Sequence, residues 1–465
     1  MKKIGWLLII LLLNGVIYSY SILDAQDGNE LEVYNGRSAA LGNTGVALGM
    51  RLFDSFLNPA NQMNLKSNLG FQYGMNLYQV NEKRSLPMYN SFDAYSGEAT
   101  YVDNLNYYNY HSAGIFYNHK LADFTFGAAV LYNPAISFDA DYFEEVRNNF
   151  NSDNNGYPPI LAKNYIESEG VVNSISGNLA FKYKDMFSLG LMISSLSGDA
   201  KWEREIIWQD AAIDLMSTSA DTLFNSYNIV ERDFSAMQFT LGANYRFNDR
   251  FDIGISYQPE TEFDVTGNVD GIDVDDAVYM YYSKLDSLEM VVHTDSIMYS
   301  EYKTPSKMRA GISYQPQNIM KTYFYVELEQ VGWSGINKLY DDQFNYYLGV
   351  EHVLPNSIPI RLGFSFITEY GLHDQSGITF ANKIMKPTFS AGTGFKILDN
   401  FTVDLGLQYS NRQYEALDLF MDSYYDYSTL WANYQYLNLQ DRGWENPDTV
   451  KETFLELKTS VSFDW

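Results

Sequence analysis

The residues that could do chemistry are few and poorly spaced for catalysis. Five histidines stand at 111, 119, 293, 352 and 373. None belongs to an H-E-x-x-H pair, the helical spacing that gives zinc two ligands on one face. No G-x-S-x-G turn presents a nucleophilic serine. Glu351 and His352 are neighbours, an arrangement that a strand end explains more simply than acid–base work. DGIDVDDA (270–277) gathers Asp270, Asp273, Asp275 and Asp276, carboxylates that suit Ca²⁺, but the spacing misses the EF-hand ladder and fits a solvated acidic loop tip. GNTGVALG (42–49) has the glycines of a phosphate loop without its lysine or its preceding strand. The chain has no cysteine, which excludes disulfides, thiolate metal sites and a lipoprotein anchor. No enzyme, metal or cofactor is expected. Three arginines keep a chemical option. Arg246, Arg309 and Arg361 fall on the polar face of alternating segments, where they can meet a carboxylate ligand or pair with Glu327, Glu329, Asp404 and Glu456.

Alternating segments must position these side chains. In FTVDLGLQYS, Phe401, Val403, Leu405, Leu407 and Tyr409 share one face, and Thr402, Asp404, Gly406, Gln408 and Ser410 share the other. That period of two marks a strand with unlike faces. Fourteen such strands are predicted: 69–79, 111–119, 122–132, 172–184, 186–196, 235–248, 250–266, 305–316, 320–331, 343–352, 357–367, 386–397, 399–410 and 455–465. Each is near the ~9–11 residues of a tilted membrane strand. Short turns (HKLAD, KYKDM, RFNDR, QPQNI, VLPNS, ILDN) alternate with long segments at 80–110, 133–171, 197–234, 267–304, 332–342, 368–385 and 411–454. Tight turns at one end and long loops at the other are the asymmetry of outer-membrane barrels. The fold class is therefore all-β, a transmembrane antiparallel β-barrel of about 14 strands. Aromatics at 16% suit its interfacial girdles.

Charge follows the same division. Of the net −27, four long segments (133–171, 197–234, 267–304 and 411–454) carry −21. The acidity caps one rim, most simply for solubility, and the overall balance excludes nucleic acid as a partner. The opening MKKIGWLLIILLLNGVIYSYSILDAQ has two lysines, a short apolar run and small residues, so residues 1–25 are expected to be a signal peptide.

Residues 26–66 lack the alternation and are expected to form a hatch inside the barrel, with residues 67–465 as the barrel itself. Gly242, Gly254, Gly311, Gly363, Gly392 and Gly406 interrupt the polar faces and leave room for such a plug.

The run from NGRSAALGNTG (35–45) to LNPA (57–60) resembles the hatch of the FadL/TodX (OMPP1) family of outer-membrane transporters of long-chain fatty acids and hydrocarbons. KTPSKMRAGISYQP (303–316), YVELEQVGWSGINKL (325–339) and YYLGVEHVLPNSIPIRLGFSF (346–366) are similar to the family's later strands. The resemblance implies a lumen plugged by a hatch that includes Gly42, Gly45, Asn58, Pro59 and Ala60. It implies a lateral opening at a kinked third strand, which here matches Asn133 and Pro134. Proline lacks the ladder donor, which supports a break there.

Uptake of a fatty acid-like hydrophobic ligand across the outer membrane of a Gram-negative bacterium is the expected function. The alternatives are a barrel of the same family serving as a binding or shuttle component of a secretion system, and an open porin. The YYDY run at 424–427, Trp202 and Trp208 are expected to meet ligand at the acidic rim. The tail LKTSVSFDW reads as the closing strand, with Phe463 and Trp465 as an assembly signal. Expected partners are the ligand, outer-membrane lipid and the barrel assembly machinery, with the barrel a monomer.

Overall fold

The computed structural model describes residues 28–32, 35–90, 92, 94–147, 160–210, 226–272, 295–297, 302–317, 321–375, 378–420 and 447–465. The expected signal peptide, most of DGIDVDDA and the YYDY run lie outside the described residues. Fourteen strands close into one antiparallel barrel, consecutive strands being neighbours and the last returning to the first. They are β1 Leu69–Tyr89, β2 Tyr95–Leu121, β3 Phe124–Ser137 continued by Ala140–Arg147, and β4 Ile160–Tyr183. Then come β5 Phe187–Trp208, β6 Ser226–Asn248 and β7 Phe251–Gln258 continued by Thr261–Ile272. β8 comprises Asp295–Ile297, Tyr302–Thr304 and Ser306–Tyr314. The remainder are β9 Lys321–Gly332, β10 Gln343–Val353, β11 Pro359–Gln375, β12 Ile378–Leu398, β13 Phe401–Ala416 and β14 Asp448–Asp464.

Alternation along each strand sorts side chains between lipid and lumen. On β14, Lys458, Ser460 and Ser462 are buried inside, while Leu457 and its odd-numbered neighbours face out. β14 pairs with β1 from Thr449↔Ser85 to Asp464↔Gly70, and the Trp465 amide donates to the Leu69 carbonyl at 2.9 Å. The ladder itself ties down the chain end. The six short connections fall at 122–123, 184–186, 249–250, 315–320, 354–358 and 399–400, as the turn residues predict.

The long segments differ from expectation. Much of 80–110 and 368–385 is ladder: β1 and β2 stay paired to Tyr89↔Tyr95, and β11 and β12 to Gln375↔Ile378. The reason is that alternation reports an apolar outer face, whereas backbone pairing needs none. Beyond the membrane belt, polar pairs replace apolar ones on the outer face, such as Lys83–Asp103 at 3.0 Å and Lys451–Glu98 at 2.6 Å. Period-two hydrophobicity vanishes there while the hydrogen bonds continue.

Candidate functional site

The lumen is occupied by the chain's own N-terminal segment. Asn35 opens the one-turn helix α1 (Gly36–Ala40), its side chain accepting from the Arg37 amide at 3.0 Å. The helix ends on Gly42, whose φ of +69° suits a residue without a Cβ. Any Cβ there would lie 2.6 Å from the Phe364 amide nitrogen of the wall. Two 3₁₀ turns follow, Leu52–Ser55 and Pro59–Asn64. Asn58 caps the second, accepting from the Ala60 amide at 3.0 Å, with Pro59 in the first helical position, where its missing N–H costs nothing. Residues 35–48 and 58–63 are all buried, so this segment has the wall on its sides.

Two kinds of seat hold it. The first is ionic and lies against β9–β13. Arg37 reaches Glu351 with Nε at 3.1 Å and Nη2 at 3.2 Å, and Nη2 also donates to Tyr325 at 2.7 Å. Glu351 accepts from Arg361 at 2.6 Å, Arg361 donates to Asp404 at 2.7 Å, and Asp404 accepts from Arg51 at 2.5 Å. The chain therefore begins and ends on the segment and passes through the wall. Beside it, Glu327 accepts from the Gly45 and Val46 amides at 2.7 and 2.8 Å and from Arg309 at 2.9 Å, while Arg309 also donates to the Asn43 carbonyl. Inside the segment, Asp54 accepts from Asn35 at 2.6 Å and from the Met50 and Arg51 amides. Burial pushes its carboxyl above the usual range, and Arg37 opposes that rise.

The second seat is nearly free of charge and lies against β3–β6. A cross-strand row Gly127–Ala180–Gly190–Gly242 carries almost no side chain on the lumen face, flanked by Asn118 and Ser256. The second 3₁₀ turn presses onto it. A Cβ at Gly242 would stand 1.9 Å from Asn58 Oδ1, and one at Gly190 would stand 2.3 Å from the Pro59 carbonyl carbon. Amides fix the register: Asn58 Nδ2 donates to the carbonyls of Val46 (2.9 Å) and Ala243 (3.2 Å). Asn178 donates to Gln62 at 2.7 Å and to the Pro59 carbonyl at 3.1 Å. Gly254, Gly363, Gly392 and Gly406 likewise abut residues 36–47, whereas Gly311 abuts the Glu327 side chain instead.

The third feature is a break in the wall. The β2–β3 ladder stops at Ala113↔Tyr132, one residue before Asn133 and Pro134. Residues 136 and 137 of β3 pair instead with the two-residue strand Asn29–Glu30, and the Leu31 amide donates to the Ala135 carbonyl at 2.8 Å. Above the break, the second part of β3 pairs with β4 from Ala140↔Ser168, and side chains bridge toward β2, Asn106 donating to the Asp141 carbonyl at 3.0 Å. A cavity of about 590 Å³ abuts the break from inside. Leu31, Phe56, Ile136, Leu196 and Tyr347 give it apolar walls, and Lys307, Arg309 and Glu329 supply charge. Lys307 is paired with Glu30, and Glu32 lies 4.0 Å from Lys458. Burial pushes the Glu32 carboxyl up, while Lys458 pulls it down.

The candidate residues are thus distributed. Gly42, Gly45, Asn58, Pro59 and Ala60 lie in the seated segment, and Asn133 and Pro134 at the break. Arg309 and Arg361 face the lumen and are engaged by Glu327, Glu351 and Asp404. Arg246 lies apart from them, paired with Asp252 at 2.8 Å near a short turn. Phe463 and Trp465 meet at a tilt, ring centroids 5.3 Å apart, at the same end of the barrel. Trp202 and Trp208 pack into the upper lumen, Trp208 against Phe420 at 5.9 Å. His352 meets Thr322 at 2.9 Å. Sequence reasoning missed Glu351, Arg37 and Arg51 as one chain. Their spacing of hundreds of residues carries no local signal, although EHVLPNSIPIR does place Glu351 and Arg361 on adjoining strands across a tight turn.

Fourteen antiparallel strands thus close around residues 35–64, and the β2–β3 ladder ends beside a cavity. Residues 56–419 match the family described as outer membrane protein transport protein (OMPP1/FadL/TodX). The chain belongs to that family, and it is an outer-membrane barrel of the class that transports hydrophobic compounds. It is similar in fold to a crystal structure of a Pseudomonas aeruginosa FadL homologue, with 14% identity, a TM-score of 0.58, and 94% of this chain and 99% of that one covered. The Ralstonia pickettii toluene transporter TbuX gives 15%, 0.57, 94% and 99%. The P. putida toluene transporter TodX gives 12%, 0.57, 94% and 99%. No curated protein matches the chain.

Proposed function

We propose that this barrel takes up long-chain fatty acids or similar lipophiles, that residues 26–66 gate the lumen as a hatch, and that cargo leaves sideways between β2 and β3. The observation that carries this reading is the coincidence of three things at Pro134: the end of the β2–β3 ladder, the cavity, and a strand of N-terminal residues occupying the exposed edge. A strand edge that accepts a short removable strand is a seal that can open without unfolding the barrel. The cavity combines apolar walls with charges already paired, which suits an amphiphile whose head group exchanges with an existing partner such as Glu30 on Lys307. We further infer that residues 1–25 are removed on export, that Phe463 and Trp465 serve the assembly machinery, and that the barrel acts as a monomer. Uptake of a radiolabelled long-chain fatty acid by cells making the full chain is the test. Uptake well above empty cells is expected, and deletion of residues 28–62 should change it. Unchanged uptake after that deletion would sink the gating reading, and copurification of a protein partner without fatty acid uptake would favour the secretion-system alternative.

A further inference from the structure

The break between β2 and β3 has a frame as well as a seal. Its lower edge is the last rung of the ladder, Ala113↔Tyr132, and beyond it no backbone pair joins β2 to β3 among the described residues. Side chains make the upper edge. The Tyr110 hydroxyl of β2 donates to Asp139 Oδ2 at 2.6 Å and meets Ser137 Oγ at 2.8 Å. Ser137 Oγ donates to Asp139 Oδ2 at 3.0 Å, and the Gly170 amide of β4 donates to Asp139 Oδ1 at 2.9 Å. Asp139 thus latches β2 to β4 across the break. A hydroxyl held by a carboxylate away from water is among the stronger hydrogen bonds, and Tyr110 and Ser137 are both buried.

The two edges fix the size of what lies between them. Residues 133–136 separate the rung from the latch, ~13 Å of extended chain at most. One strand fills that span: Asn29 and Glu30 pair with Ser137 and Ile136, and the Leu31 amide reaches the Ala135 carbonyl. On its other side Leu31 packs against the cluster that holds Tyr108 and Tyr110 of β2. The fit has no slack, since a Cβ on Gly28 would stand 2.7 Å from both Ile136 Cγ2 and the Tyr302 hydroxyl. Ser137 belongs to both devices, pairing with Asn29 through its backbone and with the latch through its hydroxyl. None of the latch bonds involves residues 28–32, so the latch stays closed when the seal leaves. The opening then keeps the width of the single chain it lost.

Resting on the reading that cargo leaves at this edge, we propose that Tyr110 and Asp139 determine which cargo passes. The latch admits one unbranched acyl chain in place of the departed strand and rejects tails that end in fused rings. The test compares cellular uptake of palmitate with that of a fatty acid ending in a pyrene ring, at equal surface amounts of heat-modifiable barrel. Wild-type cells should take up palmitate and largely exclude the pyrene acid. Tyr110→Phe and Asp139→Ala should each raise pyrene acid uptake roughly tenfold and leave palmitate within about twofold. Tyr132→Phe, which loses an outer-face bond to Asn173 at 2.7 Å, should change neither. In the purified barrel, amide exchange at residues 137–141 should rise in both latch variants and not in Tyr132→Phe. The proposal is overturned if the latch variants exclude the pyrene acid as the wild type does, or if palmitate rises by the same factor. Wild-type cells without palmitate uptake would instead sink the transport reading. The exchange measurement then judges the latch by itself, and unchanged protection at 137–141 overturns it.

Discussion

The two seats of the N-terminal segment hold by different physics. Against β9–β13 the contact is a buried relay of alternating charges, Arg37–Glu351–Arg361–Asp404–Arg51. Against β3–β6 it is close apposition of backbone and small side chains, with amides setting register. Buried charges are costly to desolvate and become strongly unfavourable when a single partner is removed, so the first seat is stiff and intolerant. Small-residue apposition has no such penalty for partial separation. Under the proposed gating, the ionic side would be the anchor and the apposed side the part that shifts.

Substitutions can break this contrast. Asp404→Ala, which takes away the carboxylate of Arg51 and leaves Arg361 with Glu351, should destabilise the seated segment by ~3–5 kcal/mol. Hydrogen exchange of residues 35–64 should rise by orders of magnitude while the strand amides stay protected. Gly242→Val forces a branched side chain onto Asn58, and ~1–3 kcal/mol of strain is expected. Its exchange should rise around residues 58–63 more than around 35–45; equal rises at both would mean that the seats are one unit. Asn58→Ala removes a cap, a contact to Val46 within the segment and a contact to the wall at Ala243, an effect of about 1–2 kcal/mol read in the same experiment. Lys83→Ala, at an exposed pair outside the lumen, should alter neither seat measurably, within ~1 kcal/mol.

The barrel was legible because alternation, turn chemistry and loop asymmetry all express one membrane boundary. Strand ends were legible only as far as that boundary: Asn81 and Lys83 belong to β1 but lie beyond the apolar belt, so nothing in their side chains marks them as strand. The glycines on the lumen face pointed to something inside. What sequence could not pair was the ionic relay, because Arg37 and Arg51 meet Glu351 and Asp404 only after the whole sheet closes. Pro134 told where the ladder would fail, but not that Asn29 and Glu30 would occupy the freed edge.

A disulfide across that edge tests the central claim most directly. The chain has no cysteine, and Asn29 pairs with Ser137 in the small inner strand, so Asn29→Cys with Ser137→Cys locks the seal without competing thiols. Uptake of labelled fatty acid should fall to the level of empty cells under oxidation and return with reductant, while each single variant transports normally. Full uptake through the oxidised, verified crosslink would contradict a gate at this edge.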